Sequence, residues 1–274
     1  MIISDYRNRK VVDYLKTKRN GKALLIFRHG LGDIINFFPI FEELKRIHPE
    51  WIFNLGLDKD RNLSFLHKNT FEYDRFNFKD LHRRFTFFFS IFYKEPYDNL
   101  IDKPTWCNLN EIGLKNFIWK PYKMVIKRNE IKDRVGVHFF GSTNQTNKSL
   151  NTEEANMFWN NILTVGKKPF EIHNPKHNVC SGPSLGFDFD KTPNTIRFNN
   201  PNIKEIINEI NKCEFFIGID SGILYLATTI LGVDKCIGIE KNYRISKYFP
   251  YELKTIKLSE ISDFDKLKNL FKEN

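Results

Sequence analysis

The chain reads as an α/β protein made of two Rossmann-like lobes, with mostly parallel sheets facing a central cleft. Three observations predict this. Short continuous apolar runs alternate with segments of helical period through most of the 274 residues. One pattern occurs twice, at 24–33 (LLIFRHGLGD) and 218–227 (GIDSGILYLA): an apolar strand, then small and charged residues, then a helix. In open α/β sheets such junctions lie at the carboxyl ends of strands, where ligands bind. Finally, the composition turns polar and basic at 120–132 (KPYKMVIKRNEIK), which places a lobe boundary there and divides the chain into 1–130 and 131–274.

In chain order, Tyr6, Val11, Val12 and Leu15 give residues 5–20 a weak helical period and predict an N-terminal surface helix. Residues 23–27 form a strand of the buried parallel kind. After a 30–33 loop, Ile34, Phe37, Phe38, Phe41, Leu44 and Ile47 recur in steps of three and four, one face of a helix. Pro39 is expected in its first turn or at a kink. His48-Pro49 ends the helix, and 51–57 is the next strand of a βαβ unit, with a right-handed crossover expected. From 60 to 95 the pattern blurs. Phe85–Phe89 and Phe92 fit a strand, a helix or an exposed apolar patch, and 97–101 reads as a strand.

The second half restarts the rhythm. A strand at 134–139 is followed by a polar loop at 141–148. Asn151 opens a helix, with Glu154 as its capping-box partner and Phe158, Trp159, Ile162 and Leu163 as its buried face. Strands follow at 168–172, 214–219 and 235–239. Helices are expected through Ile203, Ile206, Ile207 and Ile210, at 223–231 and at 264–271.

Composition narrows the function classes only moderately. The net charge of +10 favours anionic partners: nucleotides, phosphorylated glycans, anionic membranes or nucleic acid. The lysines are scattered, however, and the 27 phenylalanines with abundant Ile, Asn and Lys read as the drift of an AT-biased genome. Cys107, Cys180, Cys213 and Cys236 form no CxxC pair and have no histidine at metal spacing. Neither an apolar leader nor a run near the ~20 apolar residues of a membrane span is present. The expectation is a reduced, cytoplasmic protein.

Chemistry concentrates in three loops. Arg28-His29-Gly30-Leu31-Gly32-Asp33 joins strand to helix, and its two glycines allow close backbone approach to a ligand. Asp33 there either caps the helix or, ionised, accepts a proton from a hydroxyl nucleophile. Asp220-Ser221-Gly222 follows a strand and opens a helix, a candidate phosphate cradle or simply a turn. Gly141-Ser142-Thr143, with Lys148, supplies hydroxyl donors and a cation at the end of another strand.

The succession resembles the heptosyltransferase-like glycosyltransferases of family nine. The matching pieces are Arg-x-Gly-Leu-Gly-Asp33 with Pro39 six residues on, Tyr97-Asp98-x-Leu-Ile-Asp102, Gly-Ser142-Thr143…Lys148, and Gly218-Ile-Asp220-Ser221-Gly222-x-x-Tyr225-x-Ala227. The resemblance implies a GT-B fold, an acceptor lobe at 1–130 and a donor lobe at 131–274, with the last helix free to pack back on the N-terminal lobe. It implies an inverting, metal-independent transferase with no cofactor and a nucleoside diphosphate sugar as co-substrate, ADP-heptose by default. Asp33 would be the general base, in a cleft loop shaped by Arg28, Gly30 and Gly32. Lys148, Ser142 or Thr143, and Asp220, Ser221 and Gly222 would hold the donor diphosphate. The acceptor would be a cell-surface glycan or its lipid-linked precursor, reached at the inner face of the membrane. Three departures stand out: Tyr225 replaces a family histidine, no Gly-Pro…Glu segment follows 168–172, and the acceptor lobe is short.

Three other expectations come from the residues. The basic, Phe-rich 77–95 segment is either buried core or a peripheral membrane contact. Arg28-His29-Gly30 also resembles the opening of the histidine phosphatases, with His29 as nucleophile, although His138-Phe139 lacks that family's His-Gly pair. The charge also suits a non-catalytic nucleotide- or nucleic-acid-binding protein.

Overall fold

The structure, a computed structural model, describes residues 2–3, 20–27, 31–58, 64–73, 87–91, 114, 117–118, 120–141, 148–173, 196–197, 203–241, 245 and 252–272. The chain divides into two compact units, Met1–Lys120 and Pro121–Asn274. Each holds one sheet whose described pairings are all parallel.

The first unit contains β1 (Ile2–Ile3), β2 (Gly21–Phe27), α1 (Leu31–Ile47), β3 (Trp51–Asp58), β4 (Thr70–Tyr73) and β5 (Phe87–Ile91). Their order in the sheet is β1-β5-β2-β3-β4. Ala23, Leu24 and Leu25 of the central strand are fully buried, as a continuous apolar run between two neighbours requires. Two expectations are corrected. The helix starts at Leu31, so Gly32 and Asp33 are its second and third residues and not part of a loop. Pro39 is therefore the ninth residue, deep in the helix interior. Its missing N–H costs about 3 kcal/mol in an isolated helix, and here Phe37, Phe38, Ile40 and Phe41, all fully buried, hold the helix against the sheet. The ambiguous Phe-rich run is a strand, β5, hydrogen-bonded on both sides. The expected elements at 5–19 and 97–101 lie outside the described residues.

His67 shows how this unit treats a buried polar group. Its ring lies between Phe38 and Phe41 at centroid distances of 5.1 and 5.3 Å. The Asn69 amide donates to Nδ1 at 3.1 Å, so Nε2 carries the proton and donates to Glu42 at 2.6 Å. Burial depresses its pKa, and the neutral ring is a structural post.

The second unit contains β6 (Arg134–His138), α2 (Thr152–Thr164), β7 (Lys168–His173), β8 (Ile196–Arg197), α3 (Ile203–Asn211), β9 (Phe215–Gly218), α4 (Gly222–Leu231), β10 (Cys236–Glu240), β11 (Lys254–Lys257) and α5 (Phe264–Leu270). The sheet order is β11-β10-β9-β6-β7-β8. Counted from β6, this is the doubly wound order 3-2-1-4-5-6. Val135, Val137, Ile217 and Ile237 form one sheet face and pack with Phe158, Ile162, Leu267 and Phe271. Thus α5 belongs to this unit's own core, with the Phe271 ring 5.4 Å from Phe215.

Asn151 caps α2, and the capping box with Glu154 is present. The expected buried face holds at Phe158, Trp159 and Ile162, but Leu163 is 49% exposed. Ala155 completes the stripe at i−3 from Phe158, and Leu163 sits about 40° past its Trp159 edge. On the opposite sheet face, a Cβ at Gly136 would meet the Phe216 ring at 2.6 Å, so the residue must be glycine for that ring to lie flat. Cys213 and Cys236 are buried free thiols; burial raises the Cys213 pKa to about 12 and pushes Cys236 upward as well.

The basic segment before β6 is laid against this unit by backbone bonds. The Met124 amide donates to Thr229 O at 2.8 Å and the Ile131 amide to Lys212 O at 2.9 Å. Arg128 donates to Asn211 O and to Cys213 O, both at 2.7 Å. A guanidinium there satisfies carbonyls at the end of α3, where a helix leaves them unpaired.

Candidate functional site

In the doubly wound order, the connections from the first and fourth strands leave in opposite directions, which opens a crevice at their carboxyl ends. In the second unit these strands are β6 and β9, paired at His138 and Gly218. The Ile219 amide extends that pairing by donating to His138 O at 3.0 Å. Lys148 lies on the chain leaving β6 and Asp220 on the chain leaving β9. Lys148 Nζ stands 2.7 Å from Asp220 Oδ2, so one ion pair spans the switch point. The lysine side chain is 24% exposed and the carboxylate 8%. The more open partner is the cation.

Helix α4 starts beside this pair. Ser221 is its N-cap in extended conformation, and its Oγ accepts a long 3.4 Å bond from the Leu224 amide. Its hydroxyl proton remains available to a ligand. The amides of Gly222 and Ile223, in the first turn, have no acceptor within the helix and are partly exposed. Helix dipole, amides and ammonium together favour an anion. Asp220 opposes that field, and its burial against Lys148 makes it the group that holds the lysine in place. Tyr225 is buried one turn further on, its amide bonded to Ser221 O.

Of the other expected site residues, Gly32 is buried at the second position of α1, and Asp33 follows it in the first turn. The side chain of Asp33, and all of Arg28, His29, Gly30, Ser142 and Thr143, lie outside the described residues. Counted from β2, the first sheet has β3 and β4 on one side and β5 on the other. His138 is buried, and its Nδ1 donates to Ile172 O at 2.7 Å, which pins β6 to β7. It is a structural histidine.

Several residues of interest were not read as site residues from the sequence, Glu154 only as a capping-box partner. Ser149, Glu154 and Lys241 converge on the chain next to Lys148. Asn36 is buried on α1, one turn past Asp33, and its Nδ2 has no partner among the described residues. Glu171 on β7 is fully buried, with neither carboxyl oxygen hydrogen-bonded among the described residues. Burial alone pushes its pKa well above the usual carboxylate range. Among the described residues no three His, Cys, Asp or Glu side chains cluster as metal ligands, and no helix is long and apolar enough to cross a membrane.

Two units built on parallel sheets, the second doubly wound with an ion pair and a helix start at its switch point, fit the architecture of the GT-B glycosyltransferases. Among solved structures the chain is similar to the ADP-heptose LPS heptosyltransferase II of E. coli, at 10% identity over 91% of this chain and 98% of that one, TM-score 0.64. It is also similar to a family 9 glycosyl transferase from Veillonella parvula, at 13% identity over 92% and 90%, TM-score 0.63. A third is TibC of enterotoxigenic E. coli, described as an iron-containing dodecameric glycosyltransferase, at 14% identity and TM-score 0.57. The match to TibC covers 86% of this chain and spans only 64% of TibC's length. No protein-family model matches the sequence, and no curated protein does. The fold is that of the heptosyltransferase-like glycosyltransferases.

Proposed function

We propose that the chain is a glycosyltransferase that moves a sugar, heptose or a relative, from a nucleoside diphosphate donor to an acceptor hydroxyl. The observation that carries this is the Lys148–Asp220 pair across the β6/β9 switch point, beside the first turn of α4. Structures similar to this chain were solved with ADP and with ADP-D-β-D-heptose, which favours an adenine nucleotide as donor. The donor diphosphate lies against the α4 amides, the Ser221 hydroxyl and Lys148, with Ser142 and Thr143 as further donors. Arg28 and Gly30 shape the acceptor loop, and Gly32 lies just behind it in the first turn of α1.

Reaction follows from charge placement. Asp33 takes the acceptor proton while the hydroxyl oxygen attacks the anomeric carbon from the face opposite the diphosphate. The carbon–oxygen bond to the leaving group breaks, its electron pair stays on the diphosphate, and configuration inverts. Negative charge grows where the ammonium and helix amides already point, so stabilisation increases toward the transition state. The acceptor is a surface glycan or its lipid-linked precursor, met in the cytoplasm at the inner membrane face. The reaction needs no metal, and a chelator leaves turnover unchanged.

The test is calorimetric binding of ADP, UDP, GDP and CDP, then turnover of the matching sugar nucleotide. ADP should bind, and Asp33→Ala should bind it equally well while turnover drops about 10²–10⁴-fold. Failure of every nucleoside diphosphate to bind rejects the proposal.

A further inference from the structure

Lys148 sits on a segment with little regular structure, yet a point charge is useful to a diphosphate only if held in place. Five interactions fix the chain immediately after it. The Gly141 amide donates to Ser149 Oγ at 2.9 Å, and the Leu150 amide donates to Phe139 O at 3.0 Å. From the end of β10, Lys241 Nζ donates to Glu154 Oε2 at 2.7 Å and makes a longer 3.4 Å contact to Ser149 O. Glu154 Oε2 also accepts from the Asn151 amide at 2.7 Å, as part of the α2 capping box. One carboxylate thereby joins β10, the start of α2 and the Lys148–Asn151 segment.

We propose that Lys241 and Glu154 form a clamp that positions Lys148 for the donor diphosphate, with Ser149 as the link. The inference rests on the donor-site reading above. Both charged side chains are mostly buried, at 16% and 17% exposure. Desolvation cancels much of what such a pair contributes to stability, so its distinct contribution is geometric. Geometry is what an ammonium facing a diphosphate requires. Lys241 is therefore a positioning residue: it acts through Ser149 on Lys148 and touches no substrate atom.

The experiment measures ADP affinity by calorimetry for the native protein, Lys241→Met, Lys241→Arg, Lys148→Met and the double variant Lys241→Met/Lys148→Met. Hydrogen exchange at the Gly141 and Leu150 amides is followed in each. Lys266→Met, which breaks the exposed Lys266–Glu260 pair elsewhere in the unit, is the control. Lys241→Met should weaken ADP binding about tenfold and speed exchange at both amides. Lys241→Arg should restore most of the affinity. The double variant should bind little worse than Lys148→Met, because a clamp has no effect once its lysine is gone. Native-like ADP affinity in Lys241→Met, or strictly additive losses, overturns the clamp while leaving the donor site intact. If the native protein binds no nucleoside diphosphate, the donor reading itself falls, and the clamp with it.

Discussion

The two ends of the second unit's sheet use the same residue types to opposite effect. At the amino end, Arg134 pairs with Glu209 at 2.7 Å while lying flat on Phe170, 3.6 Å from the ring centroid. Lys212 shares Glu209, and Lys167 bridges Asp133 and Glu214 at 3.1 and 2.9 Å. These six charges each face a second charge or a ring. At the carboxyl end, the Lys148–Asp220 pair crosses the gap between diverging connections, next to helix amides that lack intrahelical acceptors. The first network pairs its charges with one another and leaves only Arg134 Nε among them as a buried donor without a partner among the described residues; the second stands beside helix amides at a crevice. The difference lies in where the doubly wound topology leaves a crevice.

The largest effect should come from the closed end. Arg134→Ala removes the partner of a mostly buried carboxylate and the stack on Phe170. It should lower unfolding free energy by about 2–4 kcal/mol in urea titrations. ADP affinity should stay native; a large loss of affinity would erase the distinction between the ends. Lys148→Ala should differ in affinity, with ADP bound about 10–100-fold more weakly; because it also strips the partner from the buried Asp220 carboxylate, it should lower stability by about 2–4 kcal/mol as well.

Glu171, between the two ends, gives a smaller effect with a definite sign. Above pH 4.5 the unfolded chain releases this proton while the folded one retains it, because burial raises the folded pKa. The folded state then binds more protons, so stability falls as pH rises from 4.5 toward the raised folded value. Glu171→Met should add about 1–2 kcal/mol at neutral pH and flatten that fall in melting curves across pH 4–8. The smallest effect belongs to the α2 cap. Asn151→Ala should cost about 1 kcal/mol, and its thermal midpoint should drop without the large affinity loss of Lys148→Ala.

Much of this was legible in the sequence where one local rule sufficed. The α2 capping box, the stripe at Phe158, Trp159 and Ile162, and the helix after Asp220-Ser221-Gly222 were read from spacing alone. Misreadings arose where a local rule met a tertiary constraint. Pro39 argues for a helix start or a kink; the start is ruled out, because α1 runs through Pro39 with buried phenylalanines on both sides. The Phe-rich run fits several elements until neighbours on both sides make residues 87–91 of it β5. Strands β4, β8 and β11 are too short for a periodic signal and exist because a parallel edge was there to extend.

What the sequence determined by itself was the alternation of strand and helix and the chemistry at their junctions, since both follow from side-chain period and turn residues. Only the tertiary structure decided the order of strands in each sheet. With it came the pairing of Lys148 with Asp220 across 72 positions and the meeting of Lys241 with Glu154 across 87. Those distances depend on which strands lie side by side, and hydrogen bonds between strands leave no mark in a local pattern.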